Sequence, residues 1–131
     1  LDPHSFPTRR SSDLAPRGRK NCSDLKNCRR EELNVERGTR YELCRSVHAE
    51  QNAIISARRQ DMLNGVLYLV GKEVATGELV KNAAPCSLCK RFIINAGISK
   101  VIIRDTMINY RVIDVEEWIE NDDSLNGDGS Y

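Results

Sequence analysis

The stretch His48-Ala49-Glu50, followed by Pro85-Cys86-Ser87-Leu88-Cys89, decides how this chain must fold. The two cysteines are three residues apart, so on a helix both sulfurs lie on one face, and in its first turn the helix dipole favours thiolates. The histidine and the glutamate are separated by roughly 200° around an ideal helix, so they converge only on a point beyond its N-terminal end. The two stretches therefore predict two helix N-termini that face a common point.

Two thiolates and one imidazole at that point form a set of three ligands for Zn²⁺: His48, Cys86 and Cys89. Zinc prefers four tetrahedral ligands, so three protein ligands leave one position for water, as in catalytic sites. Glu50 is then free to move protons to and from a substrate. A structural zinc knuckle, a pair of buried thiols and a helix-capping histidine are the alternatives. Both halves of the pattern in one short chain, in this order, favour the catalytic interpretation.

Segments on either side of these stretches have the lengths and apolar patterns of helices and strands. Helices are expected where apolar residues recur at helical spacing, from Val47 to about Gln60 and from Cys86 to Ala96, with Gly97 as the C-terminal cap. Strands are expected at 66–70, as a buried run, at 101–103 and at 111–115, where a helix over 114–120 competes. Residues 15–46 suggest a loop with a short helix, and 71–84 a loop or small hairpin.

Helix, strand, helix and strand in this order predict an α/β fold with parallel strands and helices on the faces of the sheet. The length of 131 residues suits one domain. We expect a catalytic domain over residues 15–120, a flexible tail over 121–131 and a disordered, non-native leader over 1–14. Within that leader, HSFPTRRSSDL (4–14) looks like a translated sequencing adapter.

Charge and composition narrow the partners and the compartment. Twenty Lys and Arg against 19 Asp and Glu leave a net charge of +1, which favours neither a nucleic acid nor a membrane as partner and leaves a small molecule open. No run of about 18 apolar residues exists to span a bilayer. Five cysteines, an odd number with two behind a proline, suit metal ligation in a reducing compartment. We therefore expect a cytoplasmic protein.

The spacing H-x-E followed by P-C-x-x-C resembles the signature of zinc nucleobase deaminases. The wider segments RYELCRSVHAEQNAII (40–55) and IINAGI (93–98) resemble the deoxycytidylate (dCMP) deaminase family in particular, with Gln51-Asn52 as the most telling pair. The resemblance implies a cytidine deaminase-like α-β-α sandwich with a mixed, partly parallel sheet. It implies zinc on His48, Cys86 and Cys89, proton transfer by Glu50 and hydrolytic deamination of dCMP to dUMP. A homo-oligomer and a magnesium nucleoside triphosphate effector also follow from the resemblance.

The chain departs from that family at its start. Members begin with a helix and a hairpin that leads into a loop resembling G-Y-N-G-x-P-R-G, and here only Ala15-Pro16-Arg17-Gly18 corresponds to it. We therefore expect the N-terminal helix and hairpin to be missing, which exposes the edge of the strand at 66–70. We also expect this truncated chain to be unstable or inactive. Residues 72–84 look like an insertion relative to the shortest members of the family.

Further candidates would contact the substrate or hold a second metal. Arginine suits an anionic phosphate, so one hypothesis assigns this contact to Arg17, Tyr110 and Arg111; solvated loop charge is the alternative. The resemblance assigns backbone hydrogen bonds to the base to Ala49 and Ala84. A second, structural zinc would use Cys22, Cys28 and Cys44, against the alternative of ordinary free thiols.

Three functions remain in competition. The first is deamination of dCMP. The second is deamination of another base or nucleoside, such as cytidine, guanine or adenosine in tRNA, although the near-neutral charge and the lack of a basic C-terminal helix oppose the tRNA substrate. The third is a zinc-stabilised inactive fragment or regulatory module. Release of ammonia separates the enzymes from the inactive module.

Overall fold

A computed structural model describes residues 15–36, 40–73 and 75–122 of the chain. The predicted leader and residues 123–131 of the predicted tail lie outside these ranges, and so does the adapter-like stretch. Within them the structure contains six helices, one 3₁₀ turn and three strands.

The three strands are β1 (Val66–Val70), β2 (Lys100–Arg104) and β3 (Tyr110–Asp114), and they lie side by side in that order. β1 and β2 pair in parallel, as the order of elements predicts, and β2 and β3 pair antiparallel. Residues 105–109 connect β2 to β3 and are too few for the crossover of about a dozen residues that parallel strands need. The sheet is therefore mixed, and with its helices it forms the α/β fold expected.

The core lies between the sheet and the helix α5 (Ser87–Ala96). Ile93 of α5 and Val101 and Ile103 of β2 are fully buried, and Val115 lies beside them. Burial of each such side chain contributes about 1.5–3 kcal/mol. This packing holds α5 against the sheet and so determines where its N-terminus lies.

β1 differs from its prediction as a fully buried strand. Its side chains alternate between half-buried and exposed, and Val66, Tyr68 and Val70 are 39–55% exposed. The reason is its position: in the described sheet β1 is an edge strand with β2 as its neighbour, and the core lies on one face of it. The apolar run reflects a strand that is covered on one face.

The first predicted helix is shorter than expected. It forms α3 (Ala49–Ser56), with His48 as its N-cap, and a separate α4 (Arg59–Met62) follows. Ala57 between them is extended, with φ −104° and ψ 154°, and Arg58 caps α4 while its Nε donates to Asp61 at 2.9 Å. The exposed ion pair within the first turn of α4 favours this restart over a continuous helix.

The second predicted helix is α5, which begins one residue later than expected because Cys86 is its N-cap. Gly97 ends it in the left-handed conformation, with φ 82°, as predicted. The left-handed backbone favours glycine here, and a Cβ would also displace the end of the Leu63 side chain, whose Cδ2 would lie 2.5 Å away.

The remaining predictions on local structure are confirmed in outline. Residues 15–46 form α1 (Cys22–Leu25), α2 (Arg29–Glu32) and a 3₁₀ turn (Tyr41–Leu43), without a strand in the described part of this region. A single antiparallel bridge between Lys72 and Leu79 makes the predicted small hairpin. β3 leads directly into α6 (Val115–Glu120), so the strand and the helix that competed at 111–120 both form in sequence. Among the described helices, none is both long and apolar enough for a membrane span.

Candidate metal centre

The N-termini of α3 and α5 meet at one point, as the sequence predicts. His48 is the N-cap of α3 and Cys86 is the N-cap of α5, and the two helices pack against each other. Cys89 lies in the first turn of α5, on the side that faces His48. The positive ends of two helix dipoles therefore converge on the sulfurs and stabilise negative charge there.

The three predicted ligands form a cluster with the dimensions of a zinc site. His48 Nδ1 lies 3.3 Å from Sγ of Cys89 and 3.6 Å from Sγ of Cys86. Ligand atoms on a tetrahedral zinc with bonds of 2.0–2.3 Å lie roughly 3.6 Å apart, so these residues fit the metal. Among the described residues, these three form the group of His, Cys, Asp or Glu side chains that could hold a metal ion, because their ligand atoms all lie within 4.8 Å of one another.

Local contacts orient His48. Its backbone N–H donates to Oε1 of Gln51 at 2.8 Å, which fixes the start of α3. Its ring meets the ring of Tyr41 edge-on, with the centroids 5.5 Å apart and the planes at 89°. The guanidinium of Arg30 lies over the ring of Tyr41, 4.2 Å from its centroid. Tyr41 packs against the imidazole, whose Nδ1 faces the sulfurs, and Gln51 fixes the backbone from which the ring projects.

The two cysteines are positioned by the start of α5. The backbone N–H of Cys89 donates to Sγ of Cys86 at 3.5 Å, so the first ligand also caps the helix that carries the second. Pro85 is buried and precedes the cap, where a residue without an N–H donor loses no helical hydrogen bond. Cys89 is fully buried, whereas Cys86 and His48 are half-buried. The cluster is therefore accessible from one side.

The charges of the metal-free cluster follow from these contacts. A hydrogen bond from the Cys89 thiol, assisted by one from His48, holds the pKa of Cys86 well below its ordinary value, so its sulfur is a thiolate. That thiolate is the main cause that raises the pKa of His48 to about 9; burial opposes the rise and the nearby Cys44 adds to it. The hydrogen bond to Cys86 and burial raise the pKa of Cys89, so this residue keeps its proton.

Glu50 lies beside the cluster on the first turn of α3. After the hydrogen bond to Cys86 and burial, the nearby negative charge of Glu50 also raises the pKa of Cys89. Glu50 is half-buried, and its ligand atoms are not part of the group formed by His48, Cys86 and Cys89. The carboxylate is thus next to the metal ligands without being one of them, which is the position expected of a group that transfers protons.

Zinc binding should tighten as the pH rises, because the metal-free cluster holds protons that the ligands must lose. Below the His48 pKa of about 9, both the imidazolium and the Cys89 thiol are protonated, while Cys86 is already a thiolate. Binding to a neutral imidazole and two thiolates therefore releases about two protons, so the apparent affinity should rise about one hundredfold per pH unit near neutrality. Above the pKa of His48 the slope should fall to about tenfold, since one proton remains to be lost.

Competition with a chromophoric chelator at several pH values, corrected for the protonation of the chelator, measures this slope. Calorimetry in two buffers of different ionisation enthalpy counts the released protons independently. An affinity that does not change between mildly acidic and mildly basic solution would contradict the protonation states assigned to His48 and Cys89.

Of the other residues predicted to contact the substrate, two lie close to metal ligands in the chain and two lie elsewhere. Ala49 is the first residue of α3, directly after His48, and Ala84 is exposed two residues before Cys86, so both flank the ligands. Arg17 is exposed in a turn closed by the N–H of Arg19 on the carbonyl of Pro16, and Tyr110 is 58% exposed at the start of β3.

Arg111, predicted as a phosphate contact, forms hydrogen bonds within the protein. Its Nε donates to Oδ2 of Asp105 at 2.7 Å, and its Nη2 donates to Oδ1 of Asp105 at 3.0 Å and to the carbonyl of Ala83 at 2.6 Å. The guanidinium edge formed by Nε and Nη2 is thus occupied and its charge is balanced by a carboxylate. The structure places this arginine in a contact with the loop before Cys86.

The three cysteines proposed for a second zinc are not gathered into such a site. Cys22 lies in α1, Cys28 is the N-cap of α2, and Cys44 ends the 3₁₀ turn, near enough to His48 to raise the pKa of its imidazole. Their sulfurs do not form a group of three ligand atoms within 4.8 Å, on a search of the described residues. The five cysteines, all of them among the described residues, form no disulfide.

No contact was predicted from the sequence for three residues that touch candidate site residues: Tyr41, Gln51 and Asp105. Gln51 follows the N-cap by three residues, which is the spacing of a capping box and a signal that could have revealed its contact with His48. Tyr41 and Asp105 meet their partners through the folded chain, so spacing in the sequence carries no signal for them.

Comparison with known proteins agrees with this geometry. The sequence model of the family described as "Cytidine and deoxycytidylate deaminase zinc-binding region" matches residues 16–105, which include every residue of the cluster. A search of curated proteins and a search of solved structures each returned no match. Since the match covers more than half of the chain and the three ligands converge as zinc requires, the protein belongs to the cytidine and deoxycytidylate deaminase family, whose zinc-binding domain it carries.

Proposed function

We propose that the protein is a hydrolase that deaminates a cytosine nucleotide, dCMP, to the uracil nucleotide with release of ammonia. The observation that carries the proposal is the half-buried Glu50 on the first turn of α3, beside a cluster of three ligand side chains. A structural zinc site needs four protein ligands and no adjacent base, whereas three ligands and a free carboxylate are the components of hydrolysis. The family match supports cytidine-type deamination and the cleavage of a C–N bond.

The reaction requires two proton transfers that one carboxylate can carry out in turn. The oxygen of water forms a bond to the ring carbon, the bond from that carbon to the exocyclic amine breaks, and the amine leaves as ammonia. One proton of the water ends on the ring nitrogen and the other on the ammonia. Glu50 accepts each proton and delivers it, and its place beside the ligands puts it within reach of both donors and acceptors.

Zinc, when bound, supplies a Lewis acid that lowers the pKa of a coordinated water to about 7. His48, Cys86 and Cys89 would hold it. The chain itself supplies the rest: the buried Cys89 side excludes water from one face of the cluster, and the two helix N-termini stabilise the thiolates. The open side, which Ala84 borders, is where we place the base of the substrate.

Support for dCMP over other substrates comes from the resemblance of residues 40–55 and 93–98 to dCMP deaminases. From the same resemblance we propose a homo-oligomer and a nucleoside triphosphate effector with Mg²⁺. The phosphate would be bound by Arg17 and Tyr110, which are exposed and have the chemistry for it. Ligands that are thiolates need a reducing compartment, which supports a cytoplasmic location.

Release of ammonia from a panel of substrates by the zinc-loaded chain tests the proposal. We expect kcat/KM for dCMP to exceed that for deoxycytidine by about 10–100-fold, the range for charge-assisted contacts to one phosphate. CMP, guanine and tRNA complete the panel, and the chelated protein is the control. Equal rates with dCMP and deoxycytidine would show that the phosphate is not read. A chain that binds zinc and deaminates none of them would instead be a zinc-stabilised module without catalysis.

A further inference from the structure

The loop at 81–85, which leads into the metal-binding end of α5, is tied to the connection between β2 and β3. Asp105 Oδ1 accepts a hydrogen bond from the backbone N–H of Asn82 at 2.9 Å. Arg111 donates to the same carboxylate through Nε and Nη2, at 2.7 and 3.0 Å, and to the carbonyl of Ala83 at 2.6 Å. We call these four contacts the Asp105–Arg111 bracket.

The bracket holds a tight turn of the backbone. Asn82 has φ 61°, in the left-handed region, which asparagine adopts more readily than most residues, and its N–H is the group that Asp105 accepts from. The Asp105 side chain is 17% exposed and that of Arg111 is 37% exposed, so the pair is partly shielded from solvent. The guanidinium lowers the pKa of Asp105, which is therefore charged at neutral pH.

The loop links this bracket to the metal ligands over a short distance. After Ala83, Ala84 is exposed, Pro85 is buried with a fixed backbone, and Cys86 is the first sulfur of the cluster. Ala84 is therefore an exposed residue two positions before the first sulfur. The bracket fixes the path of the loop that carries Ala84, while the packing of α5 on the core holds the sulfurs.

We propose that Asp105 and Arg111 are positioning residues, which act through the loop at 81–85 to shape the substrate entrance beside Cys86. The proposal rests on the proposed deamination and adds two residues to it. Breaking the bracket should weaken substrate binding, because the entrance then samples several conformations. It should leave the metal site intact, because the sulfurs and the imidazole are held by α3 and α5.

The test compares Arg111→Lys, Arg111→Met and Asp105→Asn with wild type in the full chain. Lysine keeps the charge but cannot donate through a planar fork to both partners. We expect KM for dCMP and for deoxycytidine to rise by about tenfold in each variant, with kcat within about threefold, the loss expected for charge-assisted hydrogen bonds. The matched control is Arg59→Met, which removes an arginine bond to the carbonyl of Asn95 at the other end of α5, and which should change neither constant.

Two readouts do not depend on catalysis. The Co²⁺-substituted protein should keep its thiolate charge-transfer band in all variants, and the amide of Asn82 should exchange about tenfold faster, because its acceptor is displaced or weakened.

A rise in KM for dCMP alone would overturn the proposal and make Arg111 a phosphate contact. Unchanged exchange at Asn82, or a lost cobalt band, would overturn it as well. If wild type deaminates neither substrate, the proposed function fails, while exchange and the cobalt band still decide whether the bracket positions the loop.

Discussion

Replacing Glu50 by glutamine should lower kcat for deamination by about three orders of magnitude, while the zinc content stays that of wild type. Glutamine has the size of glutamate but neither accepts nor releases a proton at the pH of the reaction, so both transfers to the substrate are lost. Zinc is retained because its ligands are His48, Cys86 and Cys89, and the glutamine amide replaces only their neighbour. Ammonia release and metal analysis on the same preparation measure the two quantities.

Glu42→Gln is the matched control for this variant. The substitution removes the same negative charge near the site, in the 3₁₀ turn next to Tyr41. Glu42, however, is exposed and bonded to Arg40. We expect its kcat to stay within about twofold of wild type, as for exposed pairs generally. A Glu50→Gln protein that loses its zinc would show that the carboxylate helps to hold the metal. One that keeps its activity would exclude Glu50 as the proton carrier.

Replacing Cys89 by serine should weaken zinc binding by about a thousandfold, and with it the stability of the zinc-loaded protein. A hydroxyl is a poor zinc ligand at neutral pH, and Cys89 is fully buried, so no solvent-exposed group can easily take its place. At saturating zinc a thousandfold loss of affinity corresponds to about 4 kcal/mol of stability. Chemical unfolding with and without chelator measures this difference, and the gap between variant and wild type should narrow when zinc is removed.

Cys28→Ser is the matched control, because it removes a free thiol outside the cluster. Cys28 is the N-cap of α2, a position that serine tolerates well, so the fold should not suffer. We expect unchanged zinc affinity and about one zinc per chain in both wild type and this variant. A loss of metal from Cys28→Ser would instead support a second zinc on the cysteines of residues 22–44. An undiminished affinity in Cys89→Ser would exclude Cys89 as a ligand.

The sequence was sufficient for the elements that follow from local rules. Gly97 ends α5 because a left-handed residue is needed there, and Cys86 begins it because a proline precedes a capping residue. The three ligands were identified from their spacing, since cysteines three apart at a helix start and a histidine at another N-cap can meet in few ways. The class of fold followed from the order of helices and strands.

Other features were predicted wrongly or not at all, because they depend on tertiary contacts between elements and on local ion pairs. The run at 66–70 is apolar enough for a buried strand, but its exposure is decided by the layers present on each side of the sheet. The helix after Glu50 divides at Ala57, although its apolar spacing continues, because a local ion pair starts a new helix. Both outcomes depend on contacts and not on composition.

The sequence by itself determined the chemistry of this protein: which side chains bind the metal, which carboxylate stands beside them, and which family they place it in. These are properties of residue types at short spacings, where helix geometry fixes the directions of side chains. Only the tertiary structure decided which groups Arg111 contacts. Its partners, Asp105 and the carbonyl of Ala83, are brought to it by the pairing of β2 with β3 and by the path of the loop at 81–85. A guanidinium binds whichever anion or carbonyl the fold presents, and residue type alone does not distinguish a substrate phosphate from a neighbouring carboxylate.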